Sequence, residues 1–529
     1  MTPLRRAAAA LTAAACLAAL PAVAEAGTGT GAGDGSGTSA GEGPGTSAGL
    51  ARYQHQRPDW KSCLQGPDDE TGRALDRAGA RCATITVPLD YSDPGGRTLT
   101  LAVSRVKATD TARRAGALLV NNGGPGGPSL GLAAEIRAAM KDVGERYDVI
   151  GMDPRFVGRS TPLDCHWPTG TWLRSAGSGR ETFERQAAFQ RDLAERCGRA
   201  AGDVLPYITT RDTARDMDVV RAVLGERRIS YLGYSYGTYL GTVYTQMFPG
   251  RTDRVVLDGA LDPRAYSPRL LATAIDANER ALEHWADWTA RRDARYGLGR
   301  TRAQVLATVD GIVRTAARRP LALRAGERTY EVDDTVVPSL LFSALADDRD
   351  PNRAALAGAV AALHRAARDG DTVEAPEQLA DILAATLSEA ASAAGSVQAA
   401  ILCGDVAAPR DAETYRRAVE DSRAAHPVFG PLAHNTNPCA FWPRPPREQP
   451  TEVRTDARAL IVAATGDPRT PYAGSRALHG LLPSSRLLTV EGAEHHGLYA
   501  EYGNACVDGR VNAYLATGRL PEADATCPK

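Results

Sequence analysis

Three short segments hold the residue types that nucleophilic acyl chemistry needs. The first is Gly233-Tyr234-Ser235-Tyr236-Gly237, which follows the apolar run 229–232 and precedes Thr238-Tyr239-Leu240-Gly241. A serine flanked two residues away on each side by glycine, where a strand gives way to a helix, fits a sharp turn that lifts its hydroxyl above a sheet's carboxyl edge. Ser235 is therefore read as the nucleophile. A serine hydroxyl attacks a carbonyl only when an imidazole takes its proton, and that imidazole needs a carboxylate to orient it. In a sheet of this kind the chain order is serine, acid, histidine.

The second segment, Thr465-Gly466-Asp467-Pro468-Arg469, follows the strand-like run 460–463 and offers Asp467 as the acid. The third, Glu491-Gly492-Ala493-Glu494-His495-His496-Gly497, follows the run 486–490 and offers two adjacent histidines. The G-x-x-H spacing after the last strand selects His495 as the base, with His496 as the alternative. Asp258, in Leu257-Asp258-Gly259, is a rival acid because it also ends a strand, but a loop-capping carboxylate is the simpler reading of it.

The oxyanion formed by attack needs preorganised N–H donors. The amide of Tyr236 supplies one. The loop Asn121-Asn122-Gly123-Gly124-Pro125-Gly126-Gly127 supplies the other, nominated as Gly124, because glycine lets a backbone approach the reacting carbon. A phosphate-binding glycine loop is excluded: G-x-G-x-x-G is not satisfied and no P-loop lysine follows.

The elements that must hold these segments are legible as short apolar runs ended by turn residues, at 82–89, 99–106, 117–120, 147–151, 229–232, 254–257, 460–463 and 486–490. Helix-like stretches such as 133–141 and 213–224 lie between several of them. Strands alternating with helices predict an α/β fold, a mostly parallel sheet flanked by helices. Between 262 and 450 the pattern changes to Ala/Arg/Leu stretches of helical period, at 270–291, 302–318 and 352–368, which predict a mainly helical cap inserted over the active edge. The expected organisation is a core in two parts, 51–261 and 451–529, interrupted by the cap.

The N-terminus carries Arg5 and Arg6, the small apolar run 7–20 and A-x-A cleavage positions ending at Ala24 and Ala26, the pattern of a secretory signal over 1–26. The apolar run is shorter than the ~20 residues of a spanning helix, so export without a membrane anchor is expected. A Gly/Ser/Thr-rich leader, 27–50, has too little apolar surface to order itself. Signal removal takes Cys16 and leaves Cys63, Cys82, Cys165, Cys197, Cys403, Cys439, Cys506 and Cys527. An even set in an exported chain predicts disulfides, with pairing of neighbours in sequence as the working assignment. No compact C-x-x-C pair suggests zinc. A net charge of −1 over 529 residues predicts no field that would gather nucleic acid or a membrane surface.

Together these segments resemble the secreted tripeptidyl aminopeptidases of the α/β-hydrolase superfamily, relatives of the prolyl aminopeptidases. The resemblance rests on Val87-Pro88-Leu89-Asp90-Tyr91, the 121–127 glycine loop, Asp153-Pro154-Arg155-Phe156-Val157-Gly158-Arg159-Ser160, the Ser235 turn, Leu257-Asp258-Gly259, the Asp467 and His495 segments and Asn504-Ala505-Cys506. It implies the α/β-hydrolase fold and acyl transfer from peptides with a free amino terminus, without metal or organic cofactor. It also implies a cap that leaves room for a few residues beyond that terminus. Three positions depart from the family pattern: Asn122 for proline or histidine, Phe156 for glycine, and Glu494 for the glycine before the histidine.

The substrate ammonium requires a carboxylate, for which Asp405, in Ile401-Leu402-Cys403-Gly404-Asp405, is the candidate. The partners expected are peptide substrates, taken by a monomer. The competing readings are an exported carboxylesterase or lipase with the same triad, since neither the serine turn nor the oxyanion loop separates amide from ester, and a non-catalytic binding protein on the same fold.

Overall fold

The computed structural model describes residues 44–529; the signal sequence and leader residues 27–43 lie outside the described residues. Strands β1 (Arg81–Pro88), β2 (Thr98–Val106), β3 (Gly116–Asn121), β4 (Tyr147–Met152), β5 (Ile229–Tyr234), β6 (Thr252–Asp258), β10 (Ala459–Ala464), β11 (Arg486–Val490) and β12 (Ala525–Cys527) form one sheet. Strands β7 (Leu321–Ala325), β8 (Arg328–Val332) and β9 (Val373–Glu374) form a second. The large sheet has the order β1-β2-β4-β3-β5-β6-β10-β11-β12. β2 is antiparallel to both neighbours, and every pairing from β4 to β12 is parallel.

The central strands are apolar at nearly every position because both faces are covered. Leu119, Ile150, Tyr231, Leu257 and Ile461 point into one core. Their neighbours Leu118, Val149, Leu232, Val256 and Leu460 point into the other. That alternation is the two-residue period of a strand. It leaves the carboxyl ends of β3, β5, β6, β10 and β11 on one edge, where the loops predicted to carry chemistry emerge.

Between β6 and β10 lies an insertion with its own hydrophobic core, built around Trp285, Val309, Leu323, Leu340 and Leu363. Its helices include Ile275–Ala290, Arg302–Arg318 and Asp350–Asp369. Thr301 caps the second by accepting from the Gln304 N–H. Pro351 opens the third and Gly370, at φ 81°, closes it, the asymmetry expected of proline and glycine at helix ends. The insertion is not helical throughout: β7 and β8 form a hairpin that turns at Gly326, φ 59°, and β9 joins β7 in parallel. These strands carry arginines and lie among helices of similar composition, so their two-residue period is short and masked.

Part of the β4–β5 connection also belongs spatially with the insertion, although the sequence reading assigned it to the core. The Ser175 N–H donates to Thr335 O at 2.9 Å and the Ala176 N–H to Pro431 O at 3.0 Å. The Asn435 side-chain amide donates to Arg174 O at 2.9 Å. Disulfides join Cys63 to Cys82, Cys165 to Cys197, Cys403 to Cys439 and Cys506 to Cys527, the pairing of sequence neighbours. A helix, Pro44–Gln54, starts within the segment read as leader. Tyr53 anchors it, 3% exposed and donating its hydroxyl to Pro94 O at 2.7 Å.

Candidate active site

Ser235 stands between β5 and the helix Tyr236–Met247 with φ 56° and ψ −123°, a backbone conformation that costs a side-chain-bearing residue ~1–3 kcal/mol. The turn needs glycine beside it: a Cβ on Gly233 would come within 2.6 Å of Gly237 O and 2.7 Å of the Tyr231 ring. The strained turn is held from both sides, by the Ser235 N–H donating to Asp258 O at 2.9 Å and the Thr238 N–H donating to Ser235 O at 2.9 Å.

The loop after β3 lies flat against this turn. A Cβ on Gly123 would meet Tyr234 O at 2.3 Å and the Ser235 Cβ at 3.1 Å, and its φ is +81°. Within the loop the Asn122 N–H donates to Ser129 Oγ and the Gly123 N–H to Asn121 Oδ1. The Gly124 N–H and the Tyr236 N–H have no hydrogen-bond acceptor among the described residues. Both nominated oxyanion donors are therefore unspent.

Asp467 follows β10 and is 2% exposed. Its Oδ1 accepts from the Arg469 N–H at 2.7 Å and the Thr470 N–H at 3.0 Å, and its Oδ2 from the Thr470 hydroxyl at 2.8 Å. Burial alone would raise this carboxyl, but the facing His496 imidazole and these two amides hold it below the usual range. His496 Nδ1 lies 2.9 and 3.1 Å from the two carboxylate oxygens.

The histidine facing the acid is thus His496 and not His495, which corrects the choice made from the G-x-x-H spacing. His495 points away, 5% exposed, with its ring 4.8 Å from that of Tyr502. Its Nδ1 is 3.1 Å from Asp347 Oδ1, outside hydrogen-bond alignment. Neighbouring side chains in this loop leave the backbone in different directions, and no residue type in the sequence says which one turns inward. Thr470, whose hydroxyl braces Asp467, was also missed; its place three residues after the acid, in a proline-bounded turn, is the signal that could have found it.

Comparison with known proteins extends this geometry. A family model described as TAP-like protein matches residues 426–527, which hold Asp467 and His496, and one described as alpha/beta hydrolase fold matches 116–359, which hold Gly124 and Ser235. The tripeptidyl aminopeptidase of Streptomyces lividans is 35% identical over 84% of this chain and 83% of its own length. The chain belongs to the tripeptidyl aminopeptidase family of α/β-hydrolases. Serine protease Hip1 of Mycobacterium tuberculosis (strain ATCC 25618 / H37Rv) is 30% identical over 85% of the chain and 87% of its own length. Carboxylesterase B of the same organism is 31% identical over 88% and 89%. The chain is a serine hydrolase of the peptidase type.

Within this family member the three departures from pattern have local explanations. Phe156, where the resemblance implies glycine, has φ +65°, and its buried side chain packs in the main core. Glu494 is engaged by Arg353 at 2.9 Å and by His284, both from the cap. Asn122 holds its backbone through Ser129.

Asp258, the rival acid, faces the other way. It is fully buried, and its Oδ2 accepts from the Leu498 N–H at 2.9 Å and the Tyr499 N–H at 2.7 Å. Burial raises its carboxyl to about 7 against the pull of those amides. It ties the loop beyond His496 to the end of β6, the bracing role of a capping carboxylate.

Asp405 ends the helix Ser392–Asp405 and lies 7% exposed behind Tyr236. It accepts from the Thr210 N–H at 2.7 Å, the Thr210 hydroxyl at 2.5 Å and the Tyr266 hydroxyl at 2.8 Å. All three donors are neutral, and it has no ion-pair partner among the described residues. Burial raises its carboxyl to about 7. Tyr239 stacks on Tyr266 at 3.8 Å, so aromatic rings wall this carboxyl.

Among the described residues one grouping could hold a metal: atoms of Asp347, Asp348 and His495 lie within 4.8 Å of one another. Arg349 and Lys529 already face the two carboxylates and neutralise them.

Proposed function

We propose that this chain is an exported aminopeptidase that removes short peptides from a free amino terminus through an acyl-enzyme. Ser235 attacks the scissile carbonyl while His496 takes its proton, and Asp467 orients the imidazole and balances the imidazolium. The N–H groups of Gly124 and Tyr236 hold the oxyanion. His496 then protonates the departing amine, water enters, and the same histidine activates it against the acyl-enzyme. The observation that carries the mechanism is the His496–Asp467 pair at the sheet edge shared with the Ser235 turn.

In an aminopeptidase the acyl portion carries the ammonium. Asp405, behind the residue that follows the nucleophile, is a buried carboxyl with neutral donors and no cation, so a substrate ammonium would supply the missing countercharge. The three tyrosines around it add cation–π attraction. Export is supported by the N-terminal signal pattern and by four disulfides. A carboxylesterase reading keeps the same triad and is favoured by the carboxylesterase B relative.

The deciding experiment is hydrolysis of aminoacyl, dipeptidyl and tripeptidyl p-nitroanilides with free and blocked amino termini, beside p-nitrophenyl esters, by the mature protein and by Ser235→Ala. Cleavage confined to free termini and lost in Ser235→Ala is expected; ester cleavage without any amide cleavage would replace the peptidase by an esterase. If Asp405 binds the ammonium, KM falls as pH rises through about 7, where its carboxyl ionises. KM then climbs above ~8 as the substrate amine loses its proton. Asp405→Asn keeps acceptors and donors for Thr210 and Tyr266 but abolishes the lower limb; an unchanged profile removes Asp405 from this role.

A further inference from the structure

The loop that carries the base is gripped by the cap at each of three consecutive residues. The Glu494 N–H donates to Asp348 Oδ2 at 3.0 Å. The His495 ring sits against Asp347, and the His496 N–H donates to Ala346 O at 3.0 Å. The side chain of Glu494 adds the contacts with Arg353 and His284. One stretch of cap, 346–353, thus sets the path of the backbone on which the imidazole is mounted.

This stretch is itself braced. Arg349 donates to Asp347 through Nε at 3.0 Å and to Glu501 O through Nη1 at 3.0 Å. Asn352 also donates to Asp347, and Lys529 faces Asp348. Asp348 is 7% exposed and its Oδ1 has no partner, so its orientation is set by the Glu494 amide and Lys529 on the other oxygen. The acid loop is held by the cap too: Arg469 donates to Asn278 Oδ1 at 3.0 Å, and Asn278 donates to Pro468 O at 2.5 Å.

We propose that Asp347 and Asp348 of the cap are positioning residues for the base, holding the 494–496 loop so that His496, and not its neighbour, faces Asp467 and the nucleophile. Neither aspartate touches the reacting atoms. They act through the backbone of Glu494 and the ring of His495, whose inward and outward turns are linked because the two histidines are adjacent. The inference rests on the triad assignment under Proposed function and not on the peptide substrate.

The test compares Asp348→Ala and Asp348→Asn in the mature full-length protein, reading p-nitrophenyl acetate hydrolysis, peptide p-nitroanilide hydrolysis and labelling of Ser235 by a fluorophosphonate. A shift of the imidazole by ~1 Å costs about 10²-fold, so Asp348→Ala is expected to lose about that factor in kcat and labelling rate, with KM changed by less than about twofold. Asp348→Asn still offers the Glu494 amide an oxygen and is expected to recover most of the loss. A kcat retained within about threefold in Asp348→Ala, or a rise in KM at constant kcat, overturns the proposal.

If Asp348→Ala does not fold by thermal melting, Asp347→Asn decides. It keeps an acceptor for Arg349 and removes the anion facing His495, and an unchanged kcat there sinks the idea. Ester cleavage without peptide cleavage by the wild type would defeat the peptidase reading alone and leave this test intact on the ester. A wild type that fluorophosphonate does not label would defeat both.

Discussion

The two adjacent histidines divide one site between them. His496 has the acid at 2.9 Å, and His495 has a cap aspartate and the Tyr502 ring. Replacing each by glutamine separates the roles: His496→Gln is expected to lose about 10⁴–10⁶-fold in kcat if it is the proposed general base. His495→Gln is expected to lose about tenfold at most, as a positioning change. Equal losses, measured by ester hydrolysis and phosphonate labelling, would return the assignment to His495. Residue types alone foresaw that Ser235 and Asp467 each follow a strand, because each comes after an apolar run with glycine one or two residues away. They could not separate the histidines, since one residue of loop rotation exchanges inside for outside.

At the scale of elements, the sheet edge collects what the loops carry, and the local backbone meets the cost of getting there. Phe156, in the loop after β4, is the instructive case, a non-glycine residue at positive φ that is 6% exposed in the core. Relief of a left-handed conformation is worth ~1–2 kcal/mol, whereas deleting a buried phenylalanine costs ~3–5 kcal/mol. Phe156→Gly is therefore expected to destabilise the protein by about 1–4 kcal/mol net in urea unfolding; a more stable variant would show that strain outweighs packing here. Most strands of the large sheet and the long helices of the insertion were legible from their periods, whereas the short β12 and the helix Arg180–Ala201 were not read. The β7–β8 hairpin and the attachment of 174–178 to the cap were not, because both depend on contacts distant in sequence.

For the whole molecule, pH links the buried carboxyls to stability. Burial raises Asp258 from 3.8 to about 7. A raised pKa means that the folded state holds the proton more tightly, so this group's contribution is complete below pH ~4 and is lost as pH rises to about 7. Asp258→Asn cannot ionise, and its stability relative to the wild type is expected to rise across that window, by at most ~4 kcal/mol, and to level off above it. Urea unfolding at pH 4.5, 6 and 8 measures this; a difference independent of pH would show that Asp258 is ionised throughout. Asp467 has the opposite sign, losing its contribution as pH falls, and because it is present in both proteins most of its effect cancels in the mutant difference. The sequence by itself determined the α/β class, the strand-to-helix turn at Ser235 and the glycine loop after β3, because periodicity and turn chemistry are local properties that survive without knowledge of neighbours. Only the tertiary structure decided which histidine meets Asp467, that Asp258 braces the base loop, and that the cap holds that loop, because each is a matter of direction and distance between segments the chain separates by tens to hundreds of residues.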